Sequence, residues 1–440
     1  YAAYRNYYAE GLDKLAVEVN LFRAGEYKSA MEPFVRNDMS EEAREANLYW
    51  LGSLWQQYLE GVSRARGVPL ETLADTIEHL PERVDEAGGN LAQLALELGL
   101  VDRLAGQPEM RQELSLRGVS VDQEGRLNEI DFRDYLSVRP LRRLPGPGPS
   151  VAVVVAEGDI LQGQQPAGTV GADTLAERLY QAGATDGVQA VVLRVDSPGG
   201  DAFASEIVRR ELQSLRDGGK TVVVSMGDVA ASGGYWIGLA ADEIWASAAT
   251  VTGSIGVYGM VPTFNESLQK LGIHTDGVGT TPLAGRLRLD LPMDEGLRRI
   301  FQSTTEETYQ RFLALVANAR GLTTEEVHEI ARGRVWTGQQ AADRGLVDRV
   351  GTLADAVDSA ARIAGLGDDY GVRWIEPELT GFERFMLNLT GDSRVRINAK
   401  LPGQDVAHLP LVQRLLGDLR TLMQPGQAFS VAAHCLCGVE

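Results

Sequence analysis

The chain has 440 residues, too many for one hydrophobic core, so two or three domains are expected. Its 44% hydrophobic and 23% charged residues are those of a globular protein. A formal net charge of −19 excludes a nucleic-acid binder, which needs a basic face to displace counterions. Cys435 and Cys437 are the only cysteines, so no disulfide framework holds the body and no Cys/His zinc spacing exists. Cys435-Leu-Cys437 beside His434 reads either as a metal or inter-chain pair or as a loose end with incidental thiols.

In chain order, Tyr1-Ala-Ala-Tyr4 opens without a signal peptide or membrane span and in mid-element, which suggests a missing N-terminus. Residues 1–137 lead to a Pro/Gly linker over 138–150 that neither helix nor sheet absorbs. From there the pattern alternates. Strand Val151–Val155 precedes helix Asp173–Ala182, and strand Ala190–Val195 leads into Asp196-Ser-Pro-Gly-Gly200. Helix Ala204–Leu215 and strand Thr221–Val224 follow, ending at the small-residue turn around Ser232. Such alternation indicates a mostly parallel sheet covered by helices. Ile244–Asn265 is uncharged but rich in Gly, Ser and Thr, and reads as buried strands and turns rather than a membrane span. His274 reads as a structural residue in a strand. Beyond Gly365 the pattern weakens to an extension over 366–440, with helices expected at Gly381–Leu389 and Leu409–Met423.

The chain repeats itself. Leu12-Asp-Lys-Leu15 returns as Leu268-Gln-Lys-Leu271. Tyr58-Leu59 with Ala65-Arg-Gly67 returns as Phe312-Leu313 with Ala319-Arg-Gly321, and Gly99-Leu-Val-Asp-Arg103 as Gly345-Leu-Val-Asp-Arg349. Their offsets of 256, 254 and 246 keep order, so 1–137 is the later part of a first copy and 151–365 a complete second one.

Ser232, flanked by Ala231 and Gly233-Gly234, suits a nucleophile presented at a strand-to-helix turn; the alternative is a helix-capping serine. A serine needs a base, and the five histidines fall in no triad pattern. Lysine is the other base open to serine, provided burial makes it neutral. Only five residues are lysine among 42 basic ones, so Arg supplies the general charge. A position that must lose a proton cannot be Arg. Lys14 and Lys270 are repeat partners, Lys220 ends a Gly-Gly turn, and Lys400 lies in a polar stretch. Lys28 has no twin, its equivalent being Ala284, though an exposed turn lysine would read the same way. Ser267-Leu-Gln-Lys270 matches a Ser-x-x-Lys pattern without the motifs that accompany it. Gly199-Gly200 and Gly233 offer amides clear of side chains for an oxyanion, or simply tight turns.

Ser197-Pro-Gly-Gly200 after a strand, then Met226-Gly-Asp-Val-Ala-Ala-Ser-Gly-Gly-Tyr-Trp236, then Thr252-Gly-Ser-Ile-Gly-Val257 together resemble peptidase family S49. Phe22-Arg-Ala-Gly-Glu-Tyr-Lys-Ser-Ala30 resembles the lysine region of its long, duplicated bacterial form. The resemblance implies an α/β chain of tandem Clp protease/crotonase-like units, the first truncated at its N-terminus. It implies Ser232 as nucleophile, Lys28 as general base, Ser254 orienting the lysine, and Gly200 and Gly233 as oxyanion donors with Gly199 a further candidate. It also implies signal peptides and other apolar peptides as substrates, no cofactor or metal, a homotetramer, and no nucleic acid. The location implied is the bacterial inner membrane, catalytic part facing the periplasm, with the membrane anchor outside this sequence. With Lys28 in one copy and Ser232 in the other, the site is expected where two units meet, within a chain or between chains. A crotonase-type acyl-CoA enzyme and a non-catalytic scaffold at membranes are the competing readings.

Overall fold

A computed structural model describes residues 1–120, 127–130, 135, 148–166, 168–375 and, as backbone, 432–434. The expected helices at 381–389 and 409–423, Lys400, His408, Cys435 and Cys437 lie outside the described residues. The chain forms two compact units, one of residues 1–50 and 145–440, the other of residues 51–144.

The larger unit is built on two sheets. Its strands are β1 (Glu18–Ala24), β2 (Ser150–Glu157), β3 (Ile160–Leu161), β4 (Val170–Gly171), β5 (Val188–Ser197), β6 (Gly199–Asp201) and β7 (Thr221–Ala231). They continue with β8 (Glu243–Ala246), β9 (Val251–Gly253), β10 (Val257–Thr263), β11 (Val335–Thr337), β12 (Arg349–Val350), β13 (Gly371–Ile375) and β14 (Ala432–His434). The main sheet runs β11-β9-β7-β5-β2-β13, with β8 pairing both β7 and β12. All its pairings are parallel except β11 with β9. The second sheet runs β1-β10-β14-β6-β3-β4.

The parallel strands are apolar on both faces because both are covered. Ala152, Val154, Val191, Leu193, Val222 and Val224 face a core shared with helices α2 (Ala172–Ala184) and α3 (Ala202–Asp217). Val151, Val153, Ala190, Val192 and Val223 face Ala356, Val357 and Ala360 of the helix Leu353–Ile363. Burying each such valine contributes about 1.5–3 kcal/mol. The helices and strands expected from the alternation all form here, each somewhat longer than its apolar run. Ile244–Asn265 becomes most of β8, then β9 and β10, with residues 250–263 buried throughout. His274 departs from expectation: it is exposed in irregular chain, since its short run between Gly272 and Gly277 finds no partner strand to hydrogen-bond.

The smaller unit is helical among its described residues, with Leu59, Val68 and Leu73 at its centre. The repeat is visible in both units. Helices α1 (Glu41–Arg66) and α5 (Glu295–Arg320) are each 26 residues long, and each is followed by a glycine at φ +67°. Among the helices between them are α2, α3 and α4 (Gly233–Ile237). Arg66 Nε donates to Gly99 O at 2.9 Å and its Nη2 to Asp102; Arg320 Nε donates to Gly345 O at 2.6 Å and its Nη2 to Asp348. The recurring Ala-Arg-Gly and Gly-Leu-Val-Asp motifs are thus two halves of one arginine clamp.

Candidate active site

Strand β7 carries the serine. Its first six residues pair with β5, and the register then shifts between Val195 and Ser197. Asp196 fills that irregularity: its Oδ1 accepts from Val229 N at 3.0 Å, and Gly227 leaves room for its carboxylate. Beyond the shift, β7 pairs with β9 up to Ala231↔Gly253. Ser232 then turns sharply, with φ +56° and ψ −115°, before α4 begins. Such a backbone is costly for a residue with a Cβ, of order 1–3 kcal/mol, and persists only where the surroundings hold it. Here Ser232 N donates to Gly253 O at 2.8 Å, while Ser232 O accepts from Tyr235 N and Trp236 N. Gly234 is needed because a Cβ there would lie 2.5 Å from Ser197 O.

Lys28 arrives on the turn after β1. Gly25, at φ +103°, permits that turn, and a Cβ on it would lie 2.6 Å from the Arg332 carbonyl carbon. Lys28 is 3% exposed, Ser232 fully buried and Ser254 2% exposed. Lys28 Nζ lies 2.7 Å from Ser232 Oγ, 2.9 Å from Ser254 O and 3.0 Å from Ser254 Oγ. These partners are two hydroxyls and a carbonyl, none of them an anion. Burial without a counter-charge holds the Lys28 amine well below the usual lysine range. Both groups come from one chain and from one compact unit.

Sequence reasoning missed the segment that joins the two halves. Tyr27 N donates to Arg332 O at 2.8 Å, Gly333 N to Ile255 O at 2.8 Å, and Ser254 N to Arg334 O at 2.7 Å. Residues 332–334 therefore hydrogen-bond both to the lysine turn and to the Ser254 turn. Gly333, at φ +82°, lies so close that a Cβ would be 2.6 Å from Lys28 N and 2.7 Å from Lys28 Cβ. The Arg334 guanidinium packs over the rings of Tyr27 and Trp336, each 4.9 Å to the centroid, and pairs with Glu45 at 2.9 Å. Arg-Gly-Arg carries no sequence pattern that announces such a role.

The remaining candidates also fall near Ser232. Gly233 follows it as the first residue of α4. Gly200 lies in β6, where a Cβ would collide with Ile160 O, and Gly199 N donates to Ser197 Oγ at 3.2 Å. Of the described histidines, His79 pairs with Asp75 and His328 with the Tyr309 hydroxyl. No cluster of potential metal ligands occurs among the described residues. Nor is any described helix long and apolar enough to cross a bilayer.

An α/β sheet that presents a strained, buried serine to a buried lysine marks the class, and comparison with known proteins defines it: the chain is a serine protease. It belongs to peptidase family S49, whose model matches residues 2–119 and 214–367. It is 39% identical to Protease 4 of Salmonella typhi over 98% of this chain and 69% of that one. It is 42% identical to Protease 4 of Haemophilus influenzae over 83% of this chain and 60% of that one. The chloroplastic serine protease SPPA of Arabidopsis thaliana is 31% identical over 80% of this chain and 52% of its own length. The chain thus spans roughly half to two-thirds of the length of these relatives.

Proposed function

We propose that the chain is a Ser/Lys endopeptidase that cuts apolar, extended peptides, cleaved signal peptides among them. The observation that carries this reading is the 2.7 Å contact between Lys28 Nζ and Ser232 Oγ, in a pocket that disfavours the charged amine. A neutral amine has two N–H donors and one lone pair. The donors go to Ser254 O and Ser254 Oγ, and the lone pair accepts the Ser232 hydroxyl proton. Ser254 thereby orients the base. As Ser232 Oγ bonds to the scissile carbonyl carbon, its proton passes to Lys28. The oxyanion is received by the amides of Gly200 and Gly233, and Lys28 then protonates the departing amine. Losing one such amide donor costs about 3–4 kcal/mol of barrier.

The duplication supports a division of labour in which the first copy supplies the lysine and the second the serine. Assembly as a homotetramer and attachment to the bacterial inner membrane, with the site facing the periplasm, belong to the same proposal. The test is cleavage of a signal-peptide-like substrate. Ser232→Ala and Lys28→Ala should each abolish it while leaving the solution mass of the assembly unchanged. Full activity in Lys28→Ala would sink the dyad.

A further inference from the structure

The two glycines proposed to receive the oxyanion sit on different elements. Gly200 lies in β6, just ahead of helix α3, and Gly233 opens helix α4. Their amides can serve one oxygen only if these elements keep a fixed spacing. α4 has five residues, too few to be stable alone, so its direction is set by what its side chains grip. Tyr235 Oη donates to Leu346 O at 2.7 Å, and Trp236 Nε1 donates to Glu206 Oε2 at 3.0 Å. Trp236 is buried, with its ring packed on Phe312 at 4.5 Å between centroids. Its backbone N also donates to Ser232 O at 2.9 Å. One residue therefore ties the serine turn to α3.

Glu206 is itself held firmly. Arg209 Nε donates to its Oε2 at 2.7 Å and Arg209 Nη2 to its Oε1 at 2.9 Å, while Arg210 Nε donates to Oε1 at 2.8 Å. Burial would raise its pKa, but the bonds from Arg209, Arg210 and the indole hold the carboxyl down at about 2, so it stays an anion at working pH. The start of its helix is fixed to the glycine strand. Asp201 Oδ1 accepts from Ala204 N at 2.7 Å, and Asp201 O accepts from Ser205 Oγ at 2.9 Å. Glu206 is the next residue.

We infer that Glu206 and Trp236 are positioning residues for the oxyanion site: their indole–carboxylate bond sets Gly233, at the start of α4, against Gly200, just ahead of α3. This rests on the Ser232–Lys28 reading above. Both side chains act through α4 rather than on the peptide. If α4 tilts, the Gly233 amide leaves the oxygen on which charge develops, while the other contacts of the bound peptide are untouched. The loss therefore falls on the transition state rather than on binding. A displacement approaching 1 Å is worth about 10- to 100-fold in rate.

The test is a double-mutant cycle on the full chain, read with a peptide substrate and with a peptide boronate. The tetrahedral boronate adduct on Ser232 places an oxygen where the oxyanion forms. Trp236→Phe keeps an aromatic ring and removes the donor; Glu206→Leu removes the acceptor. Each should lower kcat about 10- to 100-fold with KM changed less than about twofold, and weaken the boronate by the same factor as kcat. The double variant should be no worse than the poorer single one. Glu206→Gln, which can still accept from the indole, should recover kcat to within about threefold of wild type. Lost stability alone would lower the fraction of active sites, not kcat per titrated site or boronate affinity. Losses that multiply in the double variant, or that fall on KM with kcat unchanged, overturn the inference and leave the protease reading standing. A wild-type chain that cleaves no peptide overturns both.

Discussion

Gly333→Ala is the sharpest test of how the lysine is held. The added Cβ would lie 2.6 to 2.8 Å from Lys28 N, Cβ and Cα, where ordinary contact begins at 3.4 Å, so the lysine backbone must retreat by about 0.6–0.8 Å. It has few directions in which to go. Tyr27 N is bonded to Arg332 O on one side, and Gly256 meets Gly333 on the other. A displacement approaching 1 Å at the base is worth about a hundredfold in rate, because proton transfer needs hydrogen-bond reach. The substitution also forces alanine into φ +82°, a cost of about 1–2 kcal/mol unrelated to the site. Gly321→Ala separates the two effects: it has φ +67° and nothing within 4 Å of its Cβ position. Steady-state kinetics on a peptide substrate, with melting curves for both variants, should show similar losses of Tm. kcat should fall about a hundredfold in Gly333→Ala alone, with KM little changed. Equal kcat in the two variants would refute the claim that residues 332–334 position Lys28.

Three further outcomes follow from the same geometry. Because the folded-state Lys28 pKa is depressed, the unfolded chain binds more protons between that value and 10.5, so stability rises with pH across this window and is level below it, where both states hold the proton. Lys28→Met should remove up to about 1.4 kcal/mol per pH unit of that slope and raise Tm at neutral pH. An unchanged slope in denaturant titrations would contradict it. Ser254→Ala deletes one of two acceptors for the amine but leaves the carbonyl contact at 2.9 Å. A 10- to 100-fold loss of kcat with unchanged folding is expected, readable by kinetics and circular dichroism. Arg320→Ala removes charge-assisted bonds to Gly345 O and Asp348 from a side chain only 10% exposed, and should cost about 2–3 kcal/mol in urea unfolding. Arg66→Ala, in the more exposed counterpart at 30%, should cost less.

The sheet was legible because its strands alternate with helices and run continuously apolar, as strands covered on both faces must. Val151–Val155 and Ala190–Val195 needed only their boundaries extended. Ser232 was singled out by its small neighbours, and Lys28 because it lacks a twin in a chain that uses arginine for surface charge; the fold brings the two side chains together. What could not be read was anything set by close approach between distant backbones. Gly25, Gly256 and Gly333 look like loop glycines, yet they allow the lysine turn to touch a segment some three hundred residues later. The pairing of β14 with β6 was equally hidden, since Ala-Ala-His has no strand signature. His274 was misread for the converse reason: a short β-like run forms no strand without a partner.

The dyad itself is tested most directly by labelling Ser232 with a serine-reactive phosphonate and locating the adduct by peptide mass spectrometry in wild type and Lys28→Ala. A neutral lysine 2.7 Å from the hydroxyl predicts rapid, single-site modification of Ser232 in wild type. In Lys28→Ala the rate should fall by at least about a thousandfold. Labelling of Ser232 at the wild-type rate without Lys28 would contradict the account.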